Sequence, residues 1–317
     1  MKWSCLSLCV GLSLFLALPL QSKEQSGASL LVLEEHDLND KIYDIKNSRF
    51  TNKANLLDRI KNSKYILLGE THDNIKHHEN QAWVIDELAK LSFSTSVSFE
   101  MIDDTQYEVI DGKNIKTSND LIELLNQFKT AWEYENYYKE LFDSVLQAGL
   151  KMLPANIERQ KLYDYLRDNK SELPFEIEQL MNENPLSPVM EDALQKEIIA
   201  SHCGMIDQES AKPMMNGQRV RDATMALSLL DAGADRRVLI AGSGHVRNDR
   251  GVPLYLSPQD NEKKTISIAQ LEVEQGNVDV ESYLLNWNNI KLPFDYVWFT
   301  ARAQREDPCL AFKKHHK

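Results

Sequence analysis

Four short apolar runs in the sequence, each of strand length, end abruptly in polar or ionisable residues. The residues at or just beyond these ends are Glu70, Glu100, Asn156 and His245. From Asn74 to Lys90 the apolar positions recur at helical spacing, so the first run and this segment predict a strand, a turn and a helix. Because ligands of open parallel sheets bind beyond the carboxyl ends of the strands, the pattern predicts an α/β fold with a polar site at that edge.

The remaining segments fit an open, largely parallel sheet flanked by helices, with a smaller helical cap subdomain. Residues 103–150 and 160–235 lack strand signals and are helical in pattern, and we expect these two excursions to form the cap over the sheet edge. We predict a single domain over residues 23–317. Its α/β core takes in residues 64–102, 151–158 and 236–317, with the last two strands at 265–274 and 296–300.

The first 22 residues have the features of a secretory signal peptide. Lys2 supplies a positive charge, residues 5–18 are apolar, and Ser22 is a small residue at a suitable cleavage point. We therefore expect an exported mature protein, periplasmic or secreted. An uncleaved membrane anchor is the open alternative.

Charge and cysteine content narrow the partners and the redox chemistry. A formal net charge of -12 and a pI near 5.2 argue against nucleic acid, because phosphate neutralisation needs a basic face. Loss of the signal peptide would leave Cys203 and Cys309 in an oxidising compartment. One disulfide can form there, although spacing alone does not show that the two residues meet.

The first strand-exit turn, Gly69–Asp73, carries an acid, an imidazole and a second acid. Glu70 and His72, with Glu100 and His245 from two other strand ends, could be the acid–base groups of a hydrolase. Glu70, His72 and His245 could instead hold a divalent metal ion. The structural alternative is that such groups cap the next helix or pair with buried arginines.

Cationic and aromatic side chains provide a second set of candidates. Arg159, Arg221 and Arg247 could pair with a ligand carboxylate or with acids of the protein itself. Tyr134 and Tyr138 share one helical face, and a tyrosine phenolate can be an axial ligand of ferric haem, although core packing is the more common use of such a stripe.

Three histidines complete the candidates. His77 and His78 begin the helix after the first strand, and solvent exposure is the alternative for at least one of them. His202 lies between helices and is equally compatible with an ordinary helix end.

Together these motifs resemble the ChaN-like family, within a broader group that includes the Tiki and TraB proteins and the erythromycin esterases. The matching segments are 69–74 with His77, His78 and Gln81; 98–101; Trp132 with Tyr138; 154–156 with Arg159; 201–203; 218–222 with 225–226; and 241–247 with 251–253. The resemblance implies an α/β core with a smaller helical subdomain and haem binding. It also implies tyrosine ligation and haems held at the interface of a homodimer.

We therefore expect an exported haem-binding protein of haem and iron uptake, a binding protein more than an enzyme, whose partners are haem and a haem receptor or another uptake component. Tyr138 is the first candidate for the axial ligand. The residues expected to contact haem are Tyr138, Tyr134, His77, His78, Asn156, Arg159, His202, Arg221 and Arg247. The alternative is a hydrolase, metal-dependent or acid–base, of the broader group.

Overall fold

The fold is built on a large mixed sheet. The computed structural model describes residues 29–168, 172–256, 264–284, 292–307 and 309–310, so the predicted signal peptide lies outside the described residues. The strands are β1 (Leu31–Val32), β2 (Ile42–Asp44), β3 (Arg49–Thr51), β4 (Tyr65–Glu70), β5 (Thr95–Asp103), β6 (Lys151–Asn156), β7 (Arg236–Gly242), β8 (Thr265–Glu272), β9 (Tyr296–Thr300) and β10 (Arg302–Ala303).

The sheet has eight strands in the order β3-β2-β9-β8-β4-β7-β5-β6. The strands from β9 to β6 in that order are mutually parallel, and β2 and β3 add an antiparallel edge. The predicted largely parallel sheet is therefore confirmed. The sequence did not indicate β2 and β3, because strands of three residues are too short to show a period.

The helices follow the predicted succession. They are α1 (Lys53–Lys61), α2 (Ile75–Ala89), α3 (Asp104–Ile110), α4 (Ser118–Leu125), α5 (Lys139–Gln147), α6 (Arg159–Asp168), α7 (Phe175–Glu183), α8 (Pro188–Ser201), α9 (Gln208–Asp231), α10 (Val252–Leu256) and α11 (Val280–Leu284). A π-helical turn, Tyr134–Tyr138, runs directly into α5. None of the described helices is long and apolar enough to cross a membrane.

Both faces of the sheet are covered, which explains why its central strands are apolar throughout. Alternate residues of β4 point to opposite sides: Leu67 packs with side chains of α7, α9 and α10, whereas Ile66 and Leu68 pack with those of α1, α2 and α5. The two helical excursions therefore lie mainly on opposite faces of the sheet. Each also contributes side chains to the carboxyl edge between them.

Helix ends agree with the local sequence signals. The side chain of Asn74 accepts a hydrogen bond from the N–H of Lys76 at the start of α2, so the strand, turn and helix predicted from the sequence are confirmed. Gly149 follows α5 and Gly233 follows α9, both with positive φ, as expected of helix stops. Pro213 lies within the early turns of α9 and does not end the helix.

Cys203 and Cys309 form a disulfide across a separation of 106 residues. Cys203 lies directly after the C-cap of α8, and Cys309 belongs to the segment that follows β10. The bond that spacing left open thus joins the end of the chain to the second helical excursion.

Gly251 lies where a side chain has neither a permitted backbone conformation nor space. Its φ is 77°, and an added Cβ would lie 2.5 Å from the carbonyl oxygen of His245. We expect Gly251→Ala to lower the free energy of unfolding by about 2–5 kcal/mol, from backbone strain and overpacking together. Gly112→Ala, at φ 68° but with nothing within 4 Å, should cost only about 1–2 kcal/mol. Chemical denaturation measures both, and equal costs would contradict the steric part of the argument.

Candidate functional site

The site lies at the carboxyl edge of three adjacent strands. β4 ends at Glu70, β5 carries Glu100, and β7, which lies between them, ends at Gly242 and leads to His245. This neighbouring order brings together residues that are far apart in sequence. The structure therefore assembles Glu70, His72, Glu100 and His245 at one edge.

Glu70 is buried and accepts hydrogen bonds on both carboxylate oxygens. The phenol of Tyr138 and Nδ1 of His72 each lie 2.8 Å from Oε1, and the amide of Gln81 donates to Oε2 at 2.8 Å. Nε2 of His78 is 3.4 Å from Oε2. Burial opposes ionisation of Glu70, but His78 and His72 hold its pKa well below the ordinary value. Glu70 is thus an ionised group fixed from several sides.

Glu100 is the second buried carboxylate. Its Oε2 accepts the backbone N–H of Gly242 at 2.7 Å, and its Oε1 is 3.4 Å from Nε2 of His245. Burial alone would raise the pKa of Glu100, yet His245 and His72 lower it to about 2. Glu100 is therefore a carboxylate placed between two imidazoles.

His245 is held by acids on both ring nitrogens. Nδ1 donates to Asp222 of α9 at 2.5 Å, on the side opposite Glu100, and the amide nitrogen of Gln218 lies 3.1 Å from the same nitrogen. Burial opposes protonation, but Glu100 and Asp222 together raise the pKa of His245 to about 10. Burial raises the pKa of Asp222 despite the imidazole beside it. His245 therefore carries a positive charge at neutral pH.

His72 is the member of this network that reaches solvent. Its side chain is 30% exposed, its Nδ1 donates to Glu70, and its Nε2 lies 3.9 Å from Glu100. Burial lowers its pKa, but Glu100 and Glu70 outweigh that effect and the pKa is raised. Trp132 packs edge-on against the ring at 4.9 Å between centroids. The side chains Asp222, His245, Glu100, His72 and Glu70 thus form an alternating chain of acids and imidazoles, which we call the acid–imidazole chain.

Gly242 allows this chain to close. An added Cβ at Gly242 would lie 3.0 Å from Nε2 of His72 and 3.6 Å from Oε2 of Glu100. The absence of a side chain lets the imidazole approach the end of β7. Glycine is the residue that permits such a close approach of a side chain to the backbone.

Asp222, Gln218 and Gln81 complete the site, and the sequence did not single them out as site residues. Asp222 and Gln218 lie on α9, where charged and amide side chains usually face solvent. Asp222 is nevertheless only 4% exposed. A buried acid in a helix otherwise filled with core residues is the signal, but it is visible only after the helix is placed against the sheet.

His77 and His78, both predicted to contact haem, are fully buried. Nδ1 of His77 accepts the N–H of Thr71 and its Nε2 donates to Thr300, each at 2.8 Å. Burial, with His78 nearby, lowers the pKa of His77 to about 3, so its ring is a neutral structural link. His78 donates from Nδ1 to the carbonyl of Tyr137 and stacks on Tyr138.

The two candidate tyrosine ligands are also buried and already hydrogen-bonded. Tyr138 is 1% exposed and donates to Glu70; burial and that carboxylate raise its pKa well above the ordinary value. Tyr134 donates to the carbonyl of Met101 at 2.8 Å, and burial raises its pKa to about 12. A phenol so held cannot present a phenolate to iron at the surface. The geometry therefore does not support Tyr138 or Tyr134 as axial ligands.

Arg159 and Arg221 differ from Arg247, the third predicted arginine, in having no acidic side chain bonded to them among the described residues. Arg221, one residue before Asp222, has its pKa lowered by burial and by Arg159. Within the described part of the chain, neither side chain has an ion pair or a hydrogen bond. Glu100 is an electrostatic neighbour of Arg221, and Asn156 donates to the backbone carbonyl of that same glutamate. Arg159 is exposed and Arg221 is half-buried beside the acid–imidazole chain, and we call these two residues the arginine pair.

Arg247 and His202 have partners of their own. Arg247 forms a two-pronged ion pair with Asp249, with contacts of 3.0 and 2.7 Å. His202 is the C-cap of α8, and its Nδ1 donates to the carbonyl of Ile198 at 2.7 Å. Both positions are structural in this geometry, so the prediction that they contact haem is not supported.

The prediction of a divalent-metal site at Glu70, His72 and His245 is not supported either. No group of three or more His, Cys, Asp or Glu side chains among the described residues is arranged to hold a metal ion. Nδ1 of His72 donates to Glu70, and the ring nitrogens of His245 face Asp222 and Glu100. These groups satisfy one another.

The fold and the site define an α/β protein with buried acids and imidazoles at the carboxyl edge of its sheet, and comparison with known proteins identifies its family. Residues 56–256 match the family described as haem-binding uptake, Tiki superfamily, ChaN. This chain belongs to that family, and its class is therefore that of the haem-binding proteins.

Comparison with solved structures supports the same fold through one match. The structure described as cofacial haem binding to ChaN of Campylobacter jejuni is similar with a TM-score of 0.61 and 21% identity, covering 81% of this chain and 95% of that one. A mutant of the erythromycin esterase EreC in its open conformation is more distant, with a TM-score of 0.45 and 10% identity, covering 86% of this chain and 99% of that one. The comparison with curated proteins gives no match.

Replacing the central carboxylate tests the electrostatics of the site. Glu100→Gln leaves His245 and His72 without their shared counter-charge, so we expect the free energy of unfolding at pH 7 to fall by about 3–5 kcal/mol. The pKa of Glu100 is lowered to about 2 in the fold, so its contribution is present above the unfolded pKa and is lost as the pH falls toward 2.

The difference in the free energy of unfolding between wild type and Glu100→Gln should therefore decrease as the pH falls from about 5 to about 2. This is the range expected for a carboxyl group whose pKa in the unfolded chain is ordinary. Glu135→Gln is the matched control, because Glu135 pairs with Lys139 at 59% exposure. It should change stability by less than about 1 kcal/mol. Denaturation at stepped pH measures both, and a pH-independent difference for Glu100→Gln would contradict the assignment.

Proposed function

We propose that this chain binds haem at the carboxyl edge of its sheet and takes part in haem or iron uptake. The observation that carries the proposal is the arginine pair. Neither guanidinium has a hydrogen bond or an ion pair among the described residues, so both can donate to the carboxylates of a ligand. The propionates of haem are carboxylates, and family membership supports haem as the molecule that carries them.

Trp132 provides an aromatic side chain at the same edge of the sheet. Trp132 is half-buried and packs against the exposed imidazole of His72, so an aromatic wall and a polar edge lie next to each other at the site. The acids close by are already paired with imidazoles, which leaves the arginines available for a ligand. Haem would bring iron coordination chemistry; this chain's residues would hold its carboxylates and shield one side of the ring.

The proposed setting is outside the cytoplasm. The signal-peptide features of residues 1–22 support export to the periplasm or beyond. The alternative is an exported form that stays attached to the membrane by an uncleaved anchor. The disulfide is consistent with such an oxidising compartment. A second copy of the chain and a haem receptor or another uptake component are the partners that this role requires.

Removal of the arginine pair should weaken haem binding. We expect Arg159→Met/Arg221→Met to raise the hemin Kd by roughly 100-fold or more, since each of the two charge-assisted contacts contributes about 1.5–3 kcal/mol. Lys161→Met is the matched control, because Lys161 lies on α6 close to Arg159 and pairs with exposed Asp104. Titration of the purified proteins with hemin, followed by the Soret band, measures the constants. An unchanged affinity in the double variant would remove the support for this site.

The acid–imidazole chain favours a second candidate function, acid–base hydrolysis of an ester. In such a reaction water adds to the carbonyl, one proton leaves the water, and one proton reaches the departing alcohol. An imidazole between two carboxylates can accept the first proton and deliver the second, and His72 is the exposed imidazole of the chain. Glu70 on Nδ1 would fix its tautomer, and no metal is needed.

Hydrolysis of a chromogenic aryl ester tests this candidate. We expect His72→Gln to lose at least roughly 100-fold in rate while the hemin Kd stays within a few-fold of wild type. His36→Gln is the control. This substitution also removes an imidazole, but His36 lies outside the site. A wild-type rate equal to the uncatalysed reaction, or equal rates in the two variants, would exclude the hydrolase.

A further inference from the structure

The last described residues of the chain lie against the turn that carries His72. After β9, residues 301–307 and Cys309 form a segment that we call the C-terminal strap. Within it β10 pairs with β1, and the N–H of Gln304 donates to the carbonyl of Leu30. The match to the family model ends at residue 256, so nothing in the family description accounts for this segment.

Arg305 is the main contact between the strap and the site. Its guanidinium donates to both oxygens of Asp73, at 2.8 and 2.7 Å, and to both oxygens of Glu272, at 2.6 and 2.7 Å. Asp73 directly follows His72, and Glu272 is the last residue of β8. The three side chains are only 13–22% exposed, so solvent screens these ion pairs weakly. Arg305 thus fixes the backbone beside His72 to the end of a central strand.

Asn74 adds a second connection. Its side-chain nitrogen donates to Glu272 at 2.7 Å and to the carbonyl of Ala301 in the strap at 2.9 Å. The N–H of Ala303 also donates to Glu272. Both residues that follow His72 are therefore bound to the strap or to its partner acid. The turn that carries His72 is therefore held on two sides: by the strap and Glu272 after His72, and by the bond from the N–H of Thr71 to His77 before it.

The disulfide fixes the far end of the strap. Cys309 lies four residues after Arg305 and is bonded to Cys203, just beyond α8. α8 packs on α9, which carries Asp222 at the other end of the acid–imidazole chain. The strap therefore links two parts of the structure. One is the helical layer that holds Asp222, at one end of the acid–imidazole chain, and the other is the turn that carries His72, near its other end.

We propose that Arg305 is a positioning residue for His72, and that the Cys203–Cys309 disulfide regulates the site by keeping the strap in place. Reduction by a dithiol transfers two electrons and two protons to the disulfide, gives two cysteine thiols, and converts the dithiol to its own disulfide. The strap then keeps only non-covalent contacts, and the turn at His72 loosens. The consequence for haem affinity rests on the proposed function; the change at His72 does not.

The experiment follows the imidazole of His72 in the apo protein by NMR of labelled histidine, with the signal assigned by its loss in His72→Gln. We expect the signal to shift or broaden in Arg305→Met, in dithiol-reduced wild type and in Cys203→Ser/Cys309→Ser. Arg305→Lys should restore it in part, because one of the ion pairs can re-form. Arg236→Met is the control: the guanidinium of Arg236 also donates hydrogen bonds, but to backbone carbonyls at the amino edge of the sheet, away from His72.

Hemin titration of the same proteins supplies the second readout, and reduction should raise the Kd roughly fivefold or more. A His72 signal that is the same in oxidised, reduced and Arg305→Met protein would overturn the proposal. If Arg305→Met does not fold, the reduced protein and the double cysteine variant test the proposal instead. An unchanged His72 signal in both would overturn it. A signal that shifts in a protein that binds no hemin would keep the strap proposal and reject haem binding.

Discussion

The structure depends on how two buried carboxylates are neutralised. Glu70 and Glu100 lie at the carboxyl edge on β4 and β5, the two strands that flank β7, in a region where an unpaired charge would cost several kcal/mol. The groups that compensate them are chiefly imidazoles, which come from the strand-exit turns and from α2. Packing of the surrounding helices therefore has to deliver those imidazoles within hydrogen-bond reach. The positions of Tyr138, Gln81 and Asp222 follow from the same requirement.

This arrangement explains why the arginine pair stands apart. An arginine next to Glu70 or Glu100 would have neutralised the acid directly, as sequence reasoning allowed. Since the imidazoles already do so, Arg159 and Arg221 form no ion pair with either acid, and their guanidiniums can bind a ligand. Binding and proton transfer can therefore occupy neighbouring parts of one edge without sharing residues. The effects of substitutions in the arginine pair can then be measured separately from the effects of substitutions in the acid–imidazole chain.

Much of the fold could be predicted because the strand ends carry their own signal. Apolar runs that stop at Glu70, Asn156 and Gly242 reveal both the parallel sheet and the edge at which a site forms. The roles of the aromatic residues could not be predicted in the same way. The stripe containing Tyr134 and Tyr138 is compatible with a ligand or with the core, and the π-helical turn that places both inside is not visible in a periodicity. Arg305 was missed because its partners are more than 30 residues distant along the chain.

The order of the strands has a consequence for how the protein is made. β4 lies between β7 and β8, which are synthesised roughly 170 and 200 residues after it. β4 and β5 therefore have no neighbouring strand on one or both sides until most of the chain has left the ribosome, and they must be protected from other chains meanwhile. A sheet of this strand order cannot close until β7 and β8 have been made, although β4 and β5 are among the first strands to leave the ribosome.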